Sequence, residues 1–315
     1  MKKITFAYSF LFFASACGGS SSAVAPPSPT AELRPGATQL SSLADQASLA
    51  ALPVCEPVNG TGPDAEPVSS GVSQGSVLVM GTPRTYTLSA PASRPSALPL
   101  IFVFNDAHST GSEIRDRLAL ELPAQGRAIF VYPDGDKIAH SAWDSQSAAA
   151  DNSDLQFFDA LLAKLTNQFC VSWVFAAGHG DGGTFDNYLG CQRGDQLRAI
   201  APEYGQFDFF DGAVTNGRGR VICPTSAISA FLIESGEAPE AHIWQNYDFQ
   251  HWTYWNQLEG DRDNYNLTTF DPPGCVAAEA EPLDHQVLGC TIPGLKDAIW
   301  PSQAQMVWDY FSTFK

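Results

Sequence analysis

Basic residues are scarce in this chain. Among its 315 residues, 17 Lys and Arg stand against 34 Asp and Glu, a formal net charge of −17. A surface of that sign repels phosphate backbones and anionic headgroups. It excludes nucleic acid as a partner and leaves a lipid anchor as the route to a membrane. No C-x2-C pair occurs among the seven cysteines, so the usual spacing of a structural zinc site is missing. No internal repeat is present, and nothing in the residue pattern calls for a cofactor. The apolar run Ile4 to Ala14 is too short to span a bilayer.

What stands at the N-terminus instead is an export signal. Met1-Lys2-Lys3 forms a short basic region, the apolar run follows, and Ala14-Ser15-Ala16 places small residues before Cys17. The pattern resembles the lipobox of bacterial lipoproteins, which implies that Cys17 becomes a diacylated first residue. It departs from that pattern at Ala14, where leucine is usual. The other reading is an ordinary secretory peptide cut near Ala16. Both place the protein outside the cytoplasm, membrane-anchored or secreted.

With Cys17 lipidated, six cysteines remain, an even number suited to an oxidising compartment. The sequence leaves their connectivity open. The favoured set is Cys170–Cys191, tying the helix before one strand to the helix after it, Cys275–Cys290 closing a local loop, and Cys55–Cys223 pinning the N-terminal segment.

Three regions follow: residues 1–16 as signal peptide, 17–73 as a tether rich in Ser, Ala, Pro and Gly, and 74–315 as the folded domain. Within the tether Leu40 to Leu52 has room for one short helix. In the domain, Ser76 to Met80 and Arg84 to Leu88 predict an antiparallel pair turning at Gly81-Thr82-Pro83. Leu98 to Phe104, Arg127 to Tyr132, Leu197 to Ala201 and Ala227 to Ile233 are apolar runs, as strands buried on both faces require. Gln286 to Leu288 supplies a last strand. Helical spacing marks Ile114 to Leu120, Asp154 to Phe169 and Gln303 to Phe314. The alternation predicts an α/β domain with a mostly parallel central sheet and helices on both faces, its site at the carboxyl ends of the strands.

The central stretch is Trp173-Val174-Phe175-Ala176-Ala177-Gly178-His179-Gly180-Asp181-Gly182-Gly183, a strand running into a glycine-rich corner with a helix from Thr184 to Cys191 beyond it. This outline matches the corner that carries the serine of G-x-S-x-G in the α/β-hydrolase fold. Together with Leu98 to Phe104, Val131-Tyr-Pro-Asp-Gly135, Asp154 to Phe158, Ala199-Ile-Ala-Pro202, Trp300-Pro301 and Trp308 to Phe311, it resembles the secreted polyhydroxybutyrate depolymerase and feruloyl esterase family, over roughly Arg84 to Phe314.

That family uses a Ser-His-Asp triad, and the resemblance implies where each member falls. The serine position is Gly180. The aspartate, in a segment like H-G-x-x-D-P, is Ala238. The histidine, in a pattern like G-H-x-W-P, is Ala298. The His-Gly of the oxyanion loop is Asn105-Asp106. Glycine and alanine supply neither nucleophile nor base, and carboxylates at Asp106 and Asp181 oppose a forming oxyanion. The resemblance therefore implies an esterase-like protein without the family's chemistry, keeping a cleft for an ester, carbohydrate or polyester fragment. The rival is an active carboxylic-ester hydrolase with a relocated nucleophile, such as Asp181 with His179 as base, or a metal-activated water. A third reading is a partner-binding protein whose cleft is filled by Glu203 and Tyr204.

Candidate lining residues are Asn105, Asp106, His179, Asp181, Trp252, Trp255 and Trp300. The aromatic segment containing Trp252 and Trp255 reads equally as cleft wall or as a lid packed on the core. Asp106, Asp181, Glu237 and Asp297 are candidate oxygen ligands for a cation, against the plainer reading of solvated loop carboxylates. His108, His140, His242, His251 and His285 read as loop histidines, and Asp134 as a turn residue.

Overall fold

A computed structural model describes residues 71–92, 97–136, 142–225, 227–236, 247–256, 267–278, 285–293 and 299–314. Residues 17–70 of the tether, its expected helix, and the positions Cys17, Cys55, His140, Ala238, His242, Ala298, Glu237 and Asp297 lie outside the described residues, and the first strand starts at Gly71, inside the span read as tether.

Ten strands make one sheet: β1 (Gly71–Val79), β2 (Thr82–Ala90), β3 (Leu98–Phe104), β4 (Ile129–Pro133), β5 (Val171–His179), β6 (Ala199–Glu203), β7 (Ser229–Gly236), β8 (Leu267–Phe270), β9 (Cys275–Ala278) and β10 (Val287–Pro293). Their order is β1-β2-β4-β3-β5-β6-β7-β10-β9-β8. The run from β4 through β10 is parallel, and antiparallel pairs close both edges. The hairpin β8–β9 was not expected from the sequence. Its strands are four residues each, too short to show a period. The first hairpin turns at Met80–Gly81, both at positive φ, with Thr82 and Pro83 already in β2.

Alternation along the central strands builds two cores. Leu100, Phe102 and Phe104 of β3 face one side, where α3 (Ser153–Gln168), α4 (Asp181–Arg193) and α5 (Tyr247–Trp255) pack. Ile101 and Val103 face the other, against α1 (Gly111–Leu118), α2 (Glu121–Ala124) and α6 (Gln303–Phe311). Strands with apolar residues on both faces are what a doubly covered parallel sheet demands. Helix α1 starts on a capping box in which Thr110 and Glu113 exchange hydrogen bonds. Asp134 is a turn residue: its carboxylate accepts from Gly111 N at 2.8 Å and Thr85 Oγ1 at 2.7 Å.

The cysteine pairing corrects the expected set. Cys191 is bonded to Cys223, so neither Cys170–Cys191 nor Cys55–Cys223 forms. Cys170, at the end of α3, is itself disulfide-bonded. The bond from Cys191 ties the end of α4 to the loop before β7 rather than back to α3. Cys275 is bonded to Cys290 across the β9–β10 pair. Disulfides of this kind belong to an exported protein. Among the described residues no helix is long and apolar enough to cross a membrane.

Candidate active-site corner

The corner between β5 and α4 keeps the backbone of a strained strand-to-helix turn. Gly180 stands at its apex with φ 57° and ψ −120°, a conformation closed to most residues with a Cβ. Its amide donates to Glu203 O at 3.0 Å, and its carbonyl accepts from Thr184 N at 2.9 Å, opening α4. Close approach explains the flanking glycine at 182, where a Cβ would collide with the carbonyl of Phe104.

Asp106, in the loop after β3, reaches into this corner. Its Oδ1 accepts from Ala107 N at 2.8 Å and from Asp181 N at 3.3 Å, the first amide of α4. Asp181 turns its own carboxylate away, with Oδ2 accepting from Ala142 N at 3.0 Å. The loop is braced by Asn105, whose side-chain amide donates to the carbonyls of Asp106 and Ser109 and accepts from Gly135 N. Trp143 Nε1 donates to the Asn105 carbonyl at 2.7 Å.

Below the corner lies Glu203, the last residue of β6 and 1% exposed. Its Oε1 accepts from Trp300 N at 3.2 Å, and Oε2 stands 3.9 Å from His179 Nε2. Burial pushes its carboxyl up to about 8, with the Trp300 amide pulling the other way. Glu234, at the end of β7, is pushed up to about 9 by burial and by negative charge at Asp248 and Glu203. At neutral pH both therefore stand largely as neutral acids. The His179 ring is buried and lies 6.2 Å from that of Tyr204, a residue at positive φ that is 37% exposed.

The expected lining residues divide into two groups. Asp106, His179 and Asp181 meet at the corner, and Trp300 is joined to it through Glu203. Asn105 and His179 are both buried and do not line a cleft, and Asn105 serves as a brace for the loop. Trp252 is also corrected. It is fully buried, with Nε1 donating to Asn187 Oδ1 at 2.8 Å and its ring edge-on to Phe207. Trp255 is half-buried and lies parallel to the ring of His251 at 6.4 Å. Helix α5 thus packs on the core because its aromatic face has more apolar area than a solvated lid would tolerate. His251, expected in a loop, sits in that helix 4.0 Å from the Phe207 ring, where burial lowers it to about 3.

For the cation site, two of the four carboxylates fall outside the described residues, and Asp106 and Asp181 are committed to backbone amides. No group of three or more metal-ligating side chains converges among the described residues. Glu203 as a bridge between the corner and Trp300 was not foreseen. Its one sequence signal is an acid ending the apolar run Ala199-Ile-Ala-Pro-Glu203.

This geometry, a parallel sheet with a tight β5–α4 corner at positive φ, is the α/β-hydrolase fold. An acetyl xylan esterase from Aspergillus awamori superimposes with a TM-score of 0.56 over 76% of this chain and 99% of that one, at 12% identity. A methylesterase gives 0.50 over 77% and 54%, at 17% identity. No protein-family profile matches the chain. In sequence it is similar to feruloyl esterases. It is 30% identical over 128 residues to the probable feruloyl esterase C of Aspergillus niger, covering 38% of this chain and 45% of that protein. It is 33% identical over 93 residues to feruloyl esterase C of Emericella nidulans, covering 29% and 32%. The matches thus span less than half the length of these two relatives.

Proposed function

We propose that this is an exported, esterase-like binding protein. It keeps the hydrolase scaffold and a site for an ester, carbohydrate or polyester fragment, and it lacks the serine chemistry of the proteins it resembles. The observation that carries this reading is Gly180: the apex that must present a nucleophile has no side chain. The substitutions at Ala238 and Ala298 support it from the sequence, and similarity to feruloyl esterases supplies the ligand class. Attachment to a membrane through Cys17 belongs to the same proposal, and loss of palmitate labelling in Cys17→Ser tests it.

The decisive experiment is hydrolysis of p-nitrophenyl acetate, p-nitrophenyl butyrate and methyl ferulate by the purified chain, with and without Ca²⁺, Mg²⁺ or Zn²⁺. The expected outcome is no turnover above buffer, with methyl ferulate binding detectable by calorimetry. Turnover abolished by Asp181→Asn or His179→Ala would overturn the reading and identify a relocated nucleophile and base.

A further inference from the structure

The geometry points to Asp106 as an internal occupant that shuts the corner. Its carboxylate stands in the volume a nucleophile at position 180 needs, and it takes the amides that such a site holds open for a ligand. The inference rests on the non-catalytic reading and deepens it by naming what closes the oxyanion corner, so that an ester ligand binds with its acyl oxygen outside that corner.

Two independent features meet at one oxygen. A Cβ built on Gly180 would collide with Asp106 Oδ1 and come within 2.7 Å of its Cγ. The same Oδ1 accepts from Ala107 N and Asp181 N. In this fold the oxyanion hole is made by the amide following the nucleophile and by an amide from the loop after the equivalent of β3. Asp181 N–H is the first of these, and Ala107 N–H lies in that loop. A carboxylate oxygen is a good occupant for such a place. It satisfies amide donors at a helix start and meets the positive end of the α4 dipole.

The loop is also fixed in the closed position. Besides the Asn105 brace, Ser109 donates to the Asp106 carbonyl through both its amide, at 3.0 Å, and its hydroxyl, at 3.1 Å. Residues 106 and 180 therefore form one unit. The carboxylate fits because position 180 has no Cβ, and a side chain regained at position 180 must push the carboxylate aside. Restoring a serine alone sets it against the carboxylate and against the amide bonds that hold it. A substrate's acyl oxygen is excluded for the same reason.

A double-mutant cycle in thermal stability tests this, using the full chain, Gly180→Ser, Asp106→Ala and the double variant. The strain of serine at this positive φ is present in both backgrounds and cancels. The expected result is a larger loss of Tm from Gly180→Ser in the natural background than in Asp106→Ala, by about 2–10 °C. Equal losses would overturn the inference. If Gly180→Ser fails to fold in the natural background, folding of the double variant is the rescue expected, and failure in both backgrounds overturns the coupling. The readout is independent of activity. Additive losses with no ester turnover would remove the occupant and keep the non-catalytic reading, whereas coupled losses with turnover would do the reverse.

Discussion

Buried carboxylates occur in two parts of this domain, and the fold treats them in opposite ways. On the flank, Asp154 at the start of α3 receives the Arg84 guanidinium at 2.8 Å and the Asp144 amide at 2.7 Å. Burial still raises it, and Arg84 opposes the rise. Near the strand ends, the buried Glu203 and the half-buried Glu234 have no arginine or lysine bonded to them among the described residues, and both are pushed far higher. Asp186, on the hidden side of α4, is raised by burial with nothing countering it. A paired acid clamps the scaffold at any ordinary pH. An unpaired one holds a proton and ties the stability of its surroundings to acidity. The acids near the strand ends thus tie stability to pH, whereas the flank acid is held by a guanidinium.

The sharpest way to break this contrast is to strand the flank acid. Arg84→Met leaves Asp154 buried without its guanidinium, which costs about 3–5 kcal/mol for a pair of this kind. Thermal melts should show the deficit shrinking as pH falls, because Asp154 then takes a proton. Adding Asp154→Leu should recover most of the loss. A deficit that is the same at pH 5 and pH 8 would show that Arg84 acts through its packing over the Phe157 ring, 4.5 Å away, and not through charge.

The second prediction concerns the corner. Glu203 at about 8, Glu234 at about 9 and Asp248 at about 7 are all raised above their unfolded values. Between the unfolded and folded values the native state holds more protons than the unfolded state. Stability therefore falls as pH rises through this window and grows as pH falls from about 9 toward about 5. His251, lowered to about 3, works against this below about 6.5, where the unfolded ring charges and the folded one does not. The gain from pH 9 to 6.5 should be on the order of a few kcal/mol. Glu203→Gln and Glu234→Gln should each flatten the profile. Melting curves across this range check it, and a Tm independent of pH would mean that these acids are not desolvated.

Much of this arrangement was legible beforehand, and the remainder has identifiable causes. The strands Leu98–Phe104 and Val171–His179, the helix Ser153–Gln168 and the glycine corner follow from periodicity and local steric needs, which are properties of neighbours in sequence. Burial on both faces leaves a strand apolar in print, so the central sheet shows itself. The Cys191–Cys223 bond, the burial of Trp252 and the reach of Asp106 into the corner depend on which distant segments meet. Asp106 and Gly180 were both visible as odd residues at family positions. That one fills the space left by the other needed coordinates, because they stand 74 positions apart in the chain and neither alters a local pattern.

The smallest effect is expected at a third kind of carboxylate, one that is paired but wet. Arg193, in the last turn of α4, grips Asp159 of α3 through two bonds of 2.9 and 2.8 Å. The geometry is as good as that of Arg84 with Asp154, yet the side chains are 20% and 37% exposed against 7% and 0%. Water competes for both charges, and salt screens what is left. Arg193→Ala should therefore cost only about 0.2–1 kcal/mol, and less in 1 M NaCl, whereas the Arg84→Met deficit should change little with salt. Equal costs at the two sites would show that hydrogen-bond geometry, and not desolvation, sets the value of a charged pair in this fold. The contrast between flank and corner would then need a different physical basis.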